Sequence, residues 1–241
     1  MNDMRSLRLR TARLYGWGLA ALGLTLGNQA GAQTSDVQLW TGLVVTGKIT
    51  DRISFLSVLQ LRREKNASRD AQFIIVPPTF SFSVTPRMAV SAGVVYAYIP
   101  GYDGAREDRE RRFFQQIDYN LGNISGFVFD SYARFEQRRS ENGGDLGLRV
   151  RSRLRVRHSL TQGSQKKPPI KGVITVEPFA YLANADWGPR KGFDQLRTYA
   201  GIELPLNKQV RLDLGYTNQF QPRPGPNETN HAVTTILVFR L

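Results

Sequence analysis

The sequence predicts an all-β chain: an antiparallel transmembrane β-barrel of about 10–12 strands, preceded by a cleaved signal peptide. Three observations carry this. Segments of roughly 10–15 residues alternate apolar and polar side chains with a period of two, and none shows a helical period. The connections alternate between short turns and long polar loops, as they do in outer-membrane barrels. The stretch "LRVRSRLRVRH", residues 148–158, places Arg149, Arg151, Arg153, Arg155 and Arg157 at every second position. On a helix those arginines would be thrown onto opposite faces, whereas on a strand they share one. Five guanidinium groups on one face are too many for an ordinary protein core.

The first element is the leader. Arg5, Arg8, Arg10 and Arg13 precede the apolar run "LYGWGLAALGLTLG", and small residues close it at Ala30-Gly31-Ala32. That is the three-part pattern of a secretory signal, with cleavage expected after Ala32. The apolar run is shorter than the 20 or so residues a spanning helix needs. The expected organisation is therefore a signal peptide over 1–32 and a barrel over 33–241. Losing the leader removes four arginines and Asp3, which lowers the net charge from +13 to +10. With no cysteine, neither a disulfide framework nor a thiolate metal site is available.

Strands are expected at 37–49, 52–63, 71–84, 87–99, 111–121, 126–139, 146–160, 171–183, 193–204, 208–221 and 230–241. Short connections such as Thr50-Asp51, Thr85-Pro86 and Pro205 to Lys208 define one end. Long ones such as "PGYDGAREDRE", "NADWGPRKG" and "PRPGPNET" define the other, while "TQGSQKKPPI" is longer than this alternation predicts. In 71–84, "FIIVPPTFSFSV" is apolar on both faces and contains Pro77-Pro78, so a bulge and a change of phase are expected. Strand 87–99 lacks lumen charge. In 126–139, Phe127, Phe129, Ala133 and Phe135 alternate with Asp130, Arg134, Glu136 and Arg138. The last strand carries Val233, Leu237, Phe239 and Leu241 on one face. Eleven segments conflict with the even count of single-chain bacterial barrels, so parity stays open.

Apolar rows outside and charged rows inside make a consistent reading. The expected lumen lining is Arg134, Glu136, Arg138, Arg149, Arg151, Arg153, Arg155, Arg157, Glu177, Arg197, Glu203, Arg211 and Asp213, with Asp118 in the same phase. Interleaved guanidinium and carboxylate rows favour bidentate, charge-assisted pairs. Trp40, Tyr98, Phe113, Tyr119, Trp187 and Phe220, near strand ends, suit interfacial girdles.

The chain also resembles an uncharacterised bacterial outer-membrane β-barrel family, a domain of unknown function. The resemblance rests on Gln38-x-Trp40, Arg62, Arg134-x-Glu136, the 149–157 ladder, Glu177-x-Phe179, Arg197 and Gly201 in "FDQLRTYAGIEL", Gly215-Tyr216 and Asn230. It implies an outer-membrane barrel and brings no catalytic residues.

Function follows from the lumen. A small, anion-preferring channel or a structural barrel is expected, since rings of Arg bias a pore toward anions. The alternative is a lipid-acting enzyme of phospholipase or lipid A deacylase type. His158 and Ser159 are adjacent and point to opposite faces, and His231 could meet Ser140 or another loop serine only through the fold. No metal or cofactor is expected. Expected partners are outer-membrane lipid, the barrel-assembly machinery during biogenesis and small anionic solutes, with export arguing against nucleic acid. A soluble β protein with a basic ribbon would expose the aliphatic rows to water.

Overall fold

A computed structural model describes residues 34–164 and 168–241, and the signal peptide expected over 1–32 lies outside them. The chain forms β1 (Thr34–Lys48), β2 (Ile53–Glu64), β3 (Arg69–Thr85), β4 (Met88–Ile99), β5 (Asp108–Ile124) and β6 (Phe127–Ser140). It continues with β7 (Gly147–Ser159), β8 (Lys171–Tyr181), β9 (Gly192–Pro205), β10 (Val210–Gln221) and β11 (Glu228–Arg240). Among the described residues there is no helix. Each expected segment matches one strand. The largest difference is at β5, where polar residues at both ends continue the ladder beyond the alternating core.

The strands close into one barrel, and sequence neighbours are spatial neighbours throughout. All sequential pairs are antiparallel, as short hairpins require. Closure is made by β1 and β11, which run parallel from Thr34↔Glu228 to Thr46↔Arg240. Among the described residues this resolves the parity question in favour of eleven. An odd count sets the first and last strands running the same way, so Thr34 begins at the long-loop end and Leu241 finishes at the short-turn end.

Local chemistry accounts for the turns. Ser125 (φ 51°) and Gly126 (φ 85°) between β5 and β6 have the two positive angles of a type I′ hairpin, whose twist matches that of the strands. Lys65, Asn66 and Ala67 are all left-handed, which costs roughly 1–2 kcal/mol per residue. The Asp36 carboxylate holds that turn, accepting from the amides of Lys65 (3.0 Å) and Asn66 (3.2 Å).

The expected bulge lies where the prolines are. Val58 faces Val76 and Leu56 faces Thr79, so Ser57 stands opposite both Pro77 and Pro78. Neither proline has an amide to give to a ladder, and the bulge asks for none. The phase shift turns Ile74 and Thr79 inward and leaves Phe73, Ile75, Phe80 and Phe82 exposed outside.

Two contrasting surfaces result. The outer wall exposes Leu59, Ile75, Phe80, Val94, Ile117, Leu154, Ile174, Leu214 and Val233, each more than a third accessible. Inside, the most buried large side chains are Phe114, Phe179, Glu110 and Glu136. Gly201 and Gly215 face each other across β9 and β10. The Tyr199 ring lies over both, in space that a Cβ on either glycine would invade.

Candidate functional site: an arginine-rich lumen

Three β6 side chains, Arg134, Glu136 and Arg138, face the barrel interior. On β7, Arg149, Arg151, Arg153, Arg155 and Arg157 do the same, as do Glu177 on β8, Arg197 and Glu203 on β9, and Arg211 and Asp213 on β10. The ladder that puzzles in the sequence is resolved by its neighbours, because β6 and β8 present carboxylates at matching heights.

The contacts fall into tiers from the long-loop end to the turn end. Glu110, on β5, joins Arg112 (2.7 Å) and Arg138, whose guanidinium spans both carboxylate oxygens. Next, Glu136 gathers three arginines: Arg149 at 2.6 Å, Arg151 at 3.1 Å and Arg134 at 3.8 Å. Arg149 also meets Asp194 (3.5 Å), and Arg151 meets Glu177 (3.5 Å), which accepts from the Tyr132 hydroxyl. Toward the turn end Glu203 takes Arg155 and Arg211, Arg211 also takes Asp213 (2.6 Å), and Arg157 takes Asp130 (2.5 Å). Charges withdrawn from water are costly unless paired in this way.

Arg62, Arg153 and Arg197 have no ion-pair partner among the described residues. Each lies over a ring instead: Arg62 over Trp40 (4.0 Å to the centroid), Arg153 over Tyr132 (4.4 Å) and Arg197 over Phe179 (4.7 Å) and Trp40 (5.3 Å). Phe179 also receives Arg149 (5.1 Å) and Arg151 (5.3 Å), so one ring separates three like charges. The negative faces of aromatic rings attract cations and space the ladder where no carboxylate reaches.

These aromatics change part of the sequence reading. Trp40 is not a girdle residue: it is 4% exposed and inside the lumen, its indole N–H donating to Gln38 (2.8 Å). Trp187 is not one either; it belongs to the 182–191 loop, donates to the Asp145 carbonyl (3.0 Å) and lines the lumen mouth beside Arg138. Strand-end position misleads because it says nothing about phase. Tyr98, Phe113 and Tyr119 do stand exposed on the outer wall.

Phase would also have found the residues missed. Trp40, Phe114, Tyr132, Phe179 and Tyr199 each stand two residues from an inward polar side chain, at Gln38, Arg112, Arg134, Glu177 and Arg197 respectively. Asp194 is harder to find, since the β8–β9 bulge between Phe179 and Ala180 turns it inward.

Over the mouth, the 141–146 and 182–191 loops are clasped reciprocally. Asp186 accepts from the amides of Gly144 (2.8 Å) and Asp145 (3.1 Å), and its own amide donates to the Asp145 carboxylate (3.0 Å). The Gly144 and Asp145 amides hold the Asp186 carboxyl below its ordinary value.

Neither histidine enters the lumen. His158 stacks on Phe127 (4.4 Å) with Nδ1 3.1 Å from the Gly126 carbonyl, and Nδ1 of His231 meets the Tyr216 hydroxyl (2.5 Å). Ser140 donates to Asp108 (2.7 Å). No cluster of metal-ligating side chains exists among the described residues.

Residues 37–230 match the model of a family described as "Protein of unknown function (DUF2490)". An uncharacterised protein of Methylorubrum extorquens is 34% identical over 205 residues, which cover 83% of this chain and 86% of that one. No solved structure matches. The matched span runs from within β1 through β10 and ends at the start of β11. The chain is a member of the DUF2490 family.

Proposed function

We propose that the chain is an outer-membrane β-barrel and that its lumen is a narrow, anion-preferring conduit. The observation that carries this is a cavity of about 1160 Å³ inside the wall. It reaches from Pro189 and Arg223 at the long-loop mouth to Thr46 and Ser54 near the turn end, and Arg62, Arg153 and Arg197 line it without a carboxylate partner. Cationic side chains along a confined path raise local anion concentration and repel cations.

The membrane reading is supported by the outer wall. Its exposed aliphatic and aromatic belt would be a large apolar patch in water, yet suits hydrocarbon. Strands of 11 to 17 residues meet or exceed the 9–11 or so that a tilted strand needs to cross. The leader over 1–32 would deliver the chain to the periplasm, where the barrel-assembly machinery would insert it. Long loops would then face the exterior. The lipid-acting alternative gains nothing from the histidines, which make interfacial ring and carbonyl contacts instead of a nucleophile–base pair.

The test is single-channel recording of the refolded protein in a planar bilayer under a salt gradient. Unitary steps with an anion-selective reversal potential are expected, with selectivity reduced in Arg153→Gln, a change that leaves no carboxylate without its partner. A heat-modifiable, folded barrel that gives no steps, or cation-selective ones, refutes the conduit and leaves a side-chain-filled structural barrel.

A further inference from the structure

The lumen is not lined evenly. Most ion pairs lie on the β6–β10 side, while the β2–β5 side, beside the Glu110–Arg112 pair, presents Val58, Ile74, Val76, Val95 and Phe114 to the same cavity of about 1160 Å³. Arg62 and Arg197 reach this space from β2 and β9. Trp40, itself buried, holds both, with their guanidinium carbons 4.0 and 5.3 Å from its ring centroid. Their side-chain acceptors are neutral amides: Gln60 for Arg62 (3.0 Å) and Gln195 for Arg197 (3.3 Å). The buried Nε of Arg197 has no acceptor at all. Two cations converging on one indole repel each other, and an anion between them would relieve the repulsion and supply the missing acceptor.

We propose that this is a binding site for an organic carboxylate with an apolar tail. The carboxylate bridges Arg62 and Arg197, whose planar forks suit it bidentately. The tail lies along Ile74, Val76 and Val95. A purely inorganic anion would leave that aliphatic wall facing water, and a neutral apolar molecule would leave the arginines as they are. Apolar walls with a few convergent polar groups are the usual make-up of a small-molecule cavity. The inference deepens the conduit reading and rests on it for the ligand's route of entry.

The test is a titration of the refolded full chain, following tryptophan fluorescence, with Trp40→Phe assigning the signal. The probes are octanoate, acetate and 1-octanol. Octanoate should half-saturate at a concentration lower than acetate by on the order of tenfold or more, because only its tail is removed from water on binding. The alcohol should not saturate the site. Arg62→Gln/Arg197→Gln should abolish saturation by octanoate. Should that variant fail to fold, Val76→Thr, which keeps the side-chain shape, should narrow the gap between octanoate and acetate. Equal half-saturation by octanoate and acetate overturns the proposal, as does saturation by octanol, or binding unchanged in the double variant. A barrel that binds octanoate but shows no conductance refutes only the conduit. One that conducts anions but treats octanoate and acetate alike refutes only the site.

Discussion

Glu136→Gln removes the carboxylate on which the arginine network converges. In the wild type, Oε2 accepts two N–H groups of Arg149 at 2.9 and 2.6 Å, and Oε1 faces Arg151 at 3.1 Å and Arg134 at 3.8 Å. The residue is 1% exposed. Glutamine keeps its volume but has one carbonyl oxygen, and its NH₂ points at a guanidinium. Buried charges left without their counter-ion cost about 3–5 kcal/mol. Arg149 retains Asp194 and Arg151 retains Glu177, each at 3.5 Å, so the lower end applies, about 3 kcal/mol. With a urea slope near 3 kcal/mol/M for a chain of this size, the midpoint should fall by about 1 M. The assay is equilibrium urea unfolding in lipid vesicles, read by tryptophan fluorescence and by gel mobility without boiling. A midpoint within about 0.2 M of wild type, a loss under 1 kcal/mol at that slope, would refute the claim that the three arginines depend on this carboxylate.

Gly215→Ala should lower the urea midpoint through a loss of about 1–3 kcal/mol, since its Cβ would meet the Ala200 carbonyl at 2.5 Å and the Tyr199 ring at 2.7 Å. The same substitution at Gly225, where a Cβ meets nothing within 4 Å, serves as the control. The loop clasp should depend on pH in one direction. Because the Asp186 carboxyl lies below its ordinary value of 3.8, its stabilisation is complete above that value and is lost as pH falls through the lowered one. Hydrogen exchange at the Gly144 amide, once corrected for intrinsic rate, should therefore be faster in strong acid, and Asp186→Asn should speed it at neutral pH. With no native cysteine, single thiols report the seam: an impermeant maleimide on intact cells should label Ser35→Cys but not Leu241→Cys.

Much of this architecture is legible in a period of two. The ladder on β7 and the mixed row on β6 alternate so strictly that strand and face follow from parity alone. The bulge in β3 is legible as well, because Pro77-Pro78 cannot give amides to two neighbouring strands. Closure is another matter. Nothing local to β1 or β11 says that they pair in parallel, since that contact joins residues almost 200 positions apart and is set by the number of hairpins between them. The aromatic members of the lumen escape for a different reason. Trp40 and Phe179 look like lipid-facing residues by composition, and only their phase, shared with Gln38 and Glu177, assigns them to the cations. Pairing between strands that are not neighbours, such as Arg155 with Glu203 or Arg197 with Trp40, depends on barrel radius and stagger, which no single strand encodes.

The parallel seam bears on how such a barrel can change. Gaining or losing a hairpin alters the strand number by two, so an odd wall stays odd and keeps its one parallel joint through any number of such events. Only the gain or loss of a single strand would remove it. Nor can the two ends of the wall be joined by a tight turn. A link from Leu241 back to Thr34 must travel the height of the barrel, about 30 Å for strands of this length tilted near 40°. A circular permutant cut at one of the hairpin turns would therefore need a connector of a dozen residues or more, running outside the wall or threaded through the arginines.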